Sequence, residues 1–70
     1  MSDRRLGNAL KEARTKQNLT QADLAALIGV SRKTINTVEN GVFVPSTTLA
    51  LLLAQALKAR VEDLFHLVEE

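Results

Sequence analysis

A glycine at position 29 interrupts a stretch that would otherwise run on as one helix, and it constrains this chain more than any other residue. Thr20 to Gly41 reads TQADLAALIGVSRKTINTVENG. Before Gly29, Leu24, Ala25 and Ile28 recur at helical spacing; after it, Ile35 and Val38 do. Gly29 reaches the positive φ of a tight interhelical turn without the steric cost that a side chain would bring. Thr20 is predicted to cap the first of these helices, with Asp23 three residues on approximating a capping box. Ser31 caps the second, Asn40-Gly41 ends it, and Val30 plugs the angle between the two.

The same reasoning predicts three further helices. One runs from about Arg4 to Gln17, with Leu6, Leu10 and Ala13 on one face, and Asn18 supplies the left-handed residue that ends it. Val42 to Pro45 is a loop held extended before the proline. Ser46 then caps a helix reaching about Leu57, with Leu49, Leu52, Leu53, Ala56 and Leu57 as its core stripe. A short last helix spans Val61 to Phe65, with Glu62 and Asp63 in its first turn, where negative charge is favourable. Residues 66–70 are compatible with frayed helix, a short strand or disorder. The expected fold class is all-α, a five-helix bundle forming one domain over residues 1–70, with its core at about 4–65.

Composition narrows the function. The 70 residues contain no cysteine, which excludes disulfides, thiolate zinc sites and thiol nucleophiles. His66 is the single histidine, and without an organised carboxylate pair beside it no metal site, cofactor or catalytic centre is expected. The polar, basic opening Met1-Ser2-Asp3-Arg4-Arg5 argues against a signal peptide, and no apolar run is long enough to span a bilayer, so a cytoplasmic protein is expected. Net charge is only +1, but residues 1–40 hold seven basic side chains against four acidic, and residues 41–70 hold two against four. One end is suited to meet an anion and the other is not.

The helix after Gly29 carries the chemistry. Arg32, Lys33, Asn36, Thr37 and Asn40 fall at i, i+1, i+4, i+5 and i+8, on the side opposite Ile35 and Val38. Arg and Lys donate to guanine O6 and N7, Asn pairs both ways with adenine, and Thr offers a hydroxyl and a methyl. In a helix-turn-helix the second helix lies in the major groove, so Arg32, Lys33, Asn36 and Thr37 are the expected base-contacting residues. Gln21, Ser31 and Asn40, at helix ends, are candidates for phosphate contacts. A merely solvated helix face is the competing reading. Arg14 and Glu39 form an opposite-sign pair whose meeting would fix the angle of the second helix; as two unrelated surface charges they would contribute roughly 0–1 kcal/mol.

The run LTQADLAALIGVSRKTINTVENG, then VPSTTLALLLAQAL, then VEDLF, resembles the Cro/repressor (Xre-like) type of helix-turn-helix regulator, over about Leu6 to Phe65. The resemblance implies a bundle of the lambda-repressor-like type, commonly dimeric, that binds palindromic or pseudo-palindromic double-stranded DNA. It also implies that Gln21 holds a phosphate, that Arg32, Lys33 and Thr37 face bases, that Asn40 contacts backbone, and that Arg14 pairs with Glu39. The chain departs from that pattern at Val42, where a basic residue is common, at Lys58, where Gly or Asn is common, and at Arg60, a frequent Ser or Thr cap.

Val42, Phe43, Val44, Leu51, Leu67 and Val68 do not all fit one small core. A cluster of them away from DNA would mark self-association, and a homodimer using Phe43, Leu64, Leu67 and Val68 is expected. Phe43 packing back onto its own domain is the alternative. The leading functional expectation is a DNA-binding regulator acting as a repressor. The alternative is a partner-binding module, such as an antitoxin that binds a toxin or another regulator as well as its own operator.

Overall fold

The computed structural model describes residues 4–69. Met1, Ser2 and Asp3 of the polar opening, and Glu70 of the expected tail, lie outside the described residues. The order of elements is β1 (Arg4–Asn8), α1 (Leu10–Lys16), α2 (Gln21–Ile28), α3 (Arg32–Glu39), α4 (Thr47–Leu57), α5 (Val61–Leu64) and β2 (Phe65–Glu69).

The five helices begin and end largely where their caps predict. The Thr20 hydroxyl accepts from Asp23 N at 3.0 Å and the Asp23 carboxylate accepts from Thr20 N at 2.9 Å, closing the capping box of α2. Ser31 and Ser46 cap α3 and α4 by accepting from Thr34 N and Leu49 N. Gly29 sits at φ +76, and a Cβ built there would meet nothing within 4 Å. The demand for glycine at this turn therefore comes from the dihedral angle rather than from space. Asn18 and Lys58 take the left-handed conformation with side chains attached, at φ 59 and φ 55. Lys58 closes α4 in this way at a steric cost that Gly would not carry.

The N-terminal segment corrects the sequence reading. Arg4–Asn8 is not the first turn of a helix but a strand, paired antiparallel with β2 so that Leu6 lies opposite Leu67, Gly7 opposite His66 and Asn8 opposite Phe65. The strand is possible because Gly7 is a poor helix former and leaves room across the ladder. A Cβ at Gly7 would lie 2.5 Å from His66 Nε2 and 2.7 Å from Val68 Cγ2. Asn8 then starts α1 from outside, accepting from Leu10 N at 3.1 Å, while its amide nitrogen donates to the Val38 carbonyl near the end of α3. The sheet is a small addition to a helical fold; it ties the two ends of the domain together and, through Asn8, to α3.

The core joins Leu10, Leu24, Ala25, Ile35, Val38, Leu49, Leu53, Ala54, Leu57, Leu64 and Phe65. Two positions of α4 correct the expected stripe. Leu52 is 38% exposed, whereas Ala54 is buried; Leu49, Leu53 and Leu57 stay inward, and a partial rotation of the stripe brings in Ala54 on one edge and releases Leu52 on the other. Leu64 is also corrected. At 1% exposure it belongs to the core and has no surface to give a partner. Leu53→Ala, at a site with no exposure, should cost about 2–5 kcal/mol, and Leu52→Ala about 1 kcal/mol or less. Urea denaturation of the two variants checks the assignment, and equal losses would refute it.

Candidate nucleic-acid interface

Helix α3 separates its two faces sharply. Ile35 and Val38 are buried to 0% and 1% exposure, while Arg32, Lys33, Asn36 and Asn40 are exposed and Thr37 is half-buried. Burying Ile35 and Val38 against α2 and the core leaves the polar residues of α3 on the outer side. Arg32, Lys33 and Asn36 together border a shallow depression of about 310 Å³.

The polar groups on this face are not equally available. Asn36 Oδ1 accepts from Asn40 Nδ2 at 3.2 Å, so pairing both ways with a base requires this exposed bond to open. Thr37 Oγ1 donates to the Thr34 carbonyl at 2.9 Å, leaving its methyl and a lone pair for any partner. Ser31 shares a hydrogen bond with the Thr34 hydroxyl at 3.0 Å besides capping the helix. Arg32 and Lys33 are exposed cations at the N-terminal end of α3.

The support beneath this face is a polar cluster that sequence reasoning found in part. Arg14, 8% exposed, donates from Nε to Glu39 Oε2 at 2.6 Å and from its terminal nitrogens to Glu39 Oε1 at 3.3 Å and the Leu19 carbonyl at 2.8 Å. The paired side chains are only 10% and 4% exposed, so this is a buried ion pair and not two surface charges. Gln21 joins it, donating from Nε2 to Glu39 Oε1 at 3.0 Å. The sequence leads one to expect a phosphate contact from Gln21; within the chain, its amide is one of the groups that hold Glu39. Burial opposes ionisation of Glu39, but the hydrogen bonds from Arg14 and Gln21 and the charges of Arg14 and Lys11 outweigh it, leaving the carboxyl below its ordinary value.

This geometry is that of a helix-turn-helix: two helices braced across a glycine turn, with the outer face of the second left open. The helix-turn-helix family model (HTH_3) matches residues 10–64, from the start of α1 to the end of α5. The chain belongs to this family. It is similar to an HTH-type transcriptional regulator of Archaeoglobus fulgidus, 44% identical over 61 residues that cover 87% of this chain and 86% of the relative. A Bacillus subtilis HTH-type regulator is 40% identical over 63 residues, covering 90% and 96%. Among solved structures, the restriction-modification controller protein C.AhdI from Aeromonas hydrophila aligns with a TM-score of 0.73 at 37% identity, over 77% of this chain and 82% of that one. By this homology the chain is a DNA-binding transcriptional regulator. Among the described residues of the regulator, no helix is long and apolar enough to cross a membrane.

Asn8 is the contributor that sequence reasoning missed. The signal available was an Asn two residues before Leu10, a spacing that suits a side-chain turn at a helix start; its reach to Val38 across thirty positions had no local signature. Glu39 also gives a pH prediction. Its folded-state value is depressed, so the stability it contributes is present above the ordinary value of 4.5 and is lost as pH falls through the lower, folded-state value. Glu39→Gln should lower stability near neutrality and flatten the acid limb of the stability profile. Denaturant midpoints between about pH 7 and about pH 3 test this; parallel limbs in the two proteins would remove Glu39 from the account.

Proposed function

We propose that this regulator is a repressor that binds a palindromic or pseudo-palindromic operator as a homodimer and blocks transcription by occupying promoter DNA in the cytoplasm. The observation that carries the reading is the exposed outer face of α3, with its mixed donors and acceptors, above a buried inner face fixed by Arg14 and Glu39. Arg32, Lys33, Asn36 and Thr37 read base edges in the major groove. Ser31 and Asn40 contact the backbone, and Gln21, with one amide proton on Glu39, uses the other on a phosphate. No cofactor or catalytic step belongs to this reading.

The dimer is supported by apolar surface on the loop after α3, on α4 and α5 and on the sheet. Leu6, Val44, Pro45, Leu51, Val61 and Phe65 line a groove of about 280 Å³. Leu67, opposite Leu6 in the sheet, extends this apolar surface. Of the residues expected at a dimer interface, Leu67 and Val68 remain exposed, while Phe43 is partly turned toward its own domain beside Val38 and Phe65. The second reading, a toxin or other regulator seated on this groove, rests on the same surface.

Selection of bound duplexes from a randomised library at two salt concentrations should enrich a two-fold symmetric site with half-sites about one DNA turn, roughly 34 Å, apart. Binding that only fades with salt, without enrichment, would reduce the interaction to backbone attraction. On the selected site, Arg32→Ala should cost about 1–3 kcal/mol of specific binding and leave the unfolding midpoint unchanged; wild-type affinity in this variant would place the reading face elsewhere. For the dimer, sedimentation equilibrium should give twice the chain mass for the parent and a monomer for Leu51→Glu. A monomeric parent would favour the partner-protein reading.

A further inference from the structure

The loop after α3 folds back along the same helix that carries the base-reading residues. Val42 N and Phe43 N both donate to the Thr37 carbonyl, at 2.9 and 3.2 Å. This brings two apolar side chains beside the outer face of α3. Val42 is 77% exposed and Phe43 47%, and with Lys33, Thr34 and Thr37 they line a hollow of about 310 Å³. The hollow is apolar for a local reason: the Thr37 hydroxyl donates to Thr34 O, and the Thr34 hydroxyl is paired with Ser31. Their methyls, Val42 and Phe43 are what remain to meet a ligand. Lys33 contributes a cation to the same hollow, and Arg32 and Lys33 share the neighbouring depression, so the surface continues into one that favours a polyanion.

We propose that Val42, together with Phe43 and the Thr37 methyl, receives the C5 methyl of a thymine, which makes Val42 a specificity-determining residue of the regulator. The inference rests on the reading that α3 enters the major groove, where thymine alone among the four bases presents a methyl and apolar side chains recognise it. A basic residue at position 42 would add a phosphate contact that strengthens binding to any sequence. A valine there gives up that contact and gains one that depends on the base.

The test uses the full chain and the duplex selected from the randomised library. Each thymine of a half-site is replaced in turn by deoxyuridine, which removes the methyl and keeps every hydrogen-bonding group. One thymine per half-site should lose about three- to five-fold in affinity, the effect of removing one buried methyl. Val42→Ala should bind more weakly to the thymine duplex and be indifferent to uridine at that position alone. Because Val42 is largely exposed, its unfolding midpoint should match the parent. Val42→Lys should likewise lose the methyl dependence and steepen the salt dependence of binding by about one unit. If no uridine penalty vanishes in Val42→Ala, the methyl receptor is wrong. If Val42→Ala weakens every sequence equally, the valine meets deoxyribose instead, and the proposal is again overturned. Failure of the parent chain to select any sequence would refute the groove reading itself, an outcome distinct from both.

Discussion

The pairing of Arg14 with Glu39 is the constraint on which the arrangement of the helix-turn-helix depends. It joins α1 to the last residue of α3, and through the Leu19 carbonyl and Gln21 it also holds the approach to α2. A buried ion pair is weak evidence of net stabilisation, because desolvating two charges offsets most of their attraction. Its effect lies in what it forbids. Any rotation of α3 about its axis would separate Glu39 from Arg14 and leave buried charges without partners, at a cost of several kcal/mol. The pair thus selects one orientation of the helix among those that the apolar contacts of Ile35 and Val38 would tolerate. Val38 and Glu39 are adjacent, so the hydrophobic and ionic constraints act on the same turn.

The two-stranded sheet reaches α3 from the other direction. Gly7 admits His66 across the ladder, the register sets Asn8 opposite Phe65, and Asn8 then donates to the Val38 carbonyl. The C-terminal turn of α3 is therefore gripped by α1 through a carboxylate and by β1 through a main-chain carbonyl. The N-terminal turn, with Arg32 and Lys33, has only its Ser31 cap and the glycine turn behind it. The helix is fixed at its C-terminal end, and its exposed Arg32 and Lys33 lie at the other.

Where the signals were local, the sequence was legible. Thr20, Ser31 and Ser46 announce their helices because a cap acts within three residues, and Gly29 and Asn18 announce left-handed turns because the requirement lies in their own dihedral angles. The Arg14–Glu39 pair was accessible because only a few opposite charges lie near inward positions. What failed were signals set at a distance. Leu6 is in helical phase with Leu10 and Ala13, so local periodicity favours a helix over Arg4–Asn8, and only the pairing with a segment some sixty residues later makes it a strand. In α4, a segment with leucines or alanines at nearly every position carries too little contrast to fix its phase, which is how Leu52 and Ala54 exchanged places. Leu64 is ambiguous for a related reason: a single apolar residue in a helix of one turn does not declare which side it packs on.

The distribution of charge bears on how such a chain discriminates between DNA sequences. Affinity that comes from phosphates is insensitive to sequence and falls steeply with salt. With a net charge of +1, an apolar residue after α3 and an acidic excess in residues 41–70, this regulator has less of that source than a strongly basic chain would. In the proposed reading, binding energy comes largely from directional and apolar contacts made by a few side chains of α3 and the loop beside it. Such contacts are only as selective as their placement is rigid, since a donor that swings freely meets several bases equally well. The buried Arg14–Glu39 pair is the feature that supplies this rigidity.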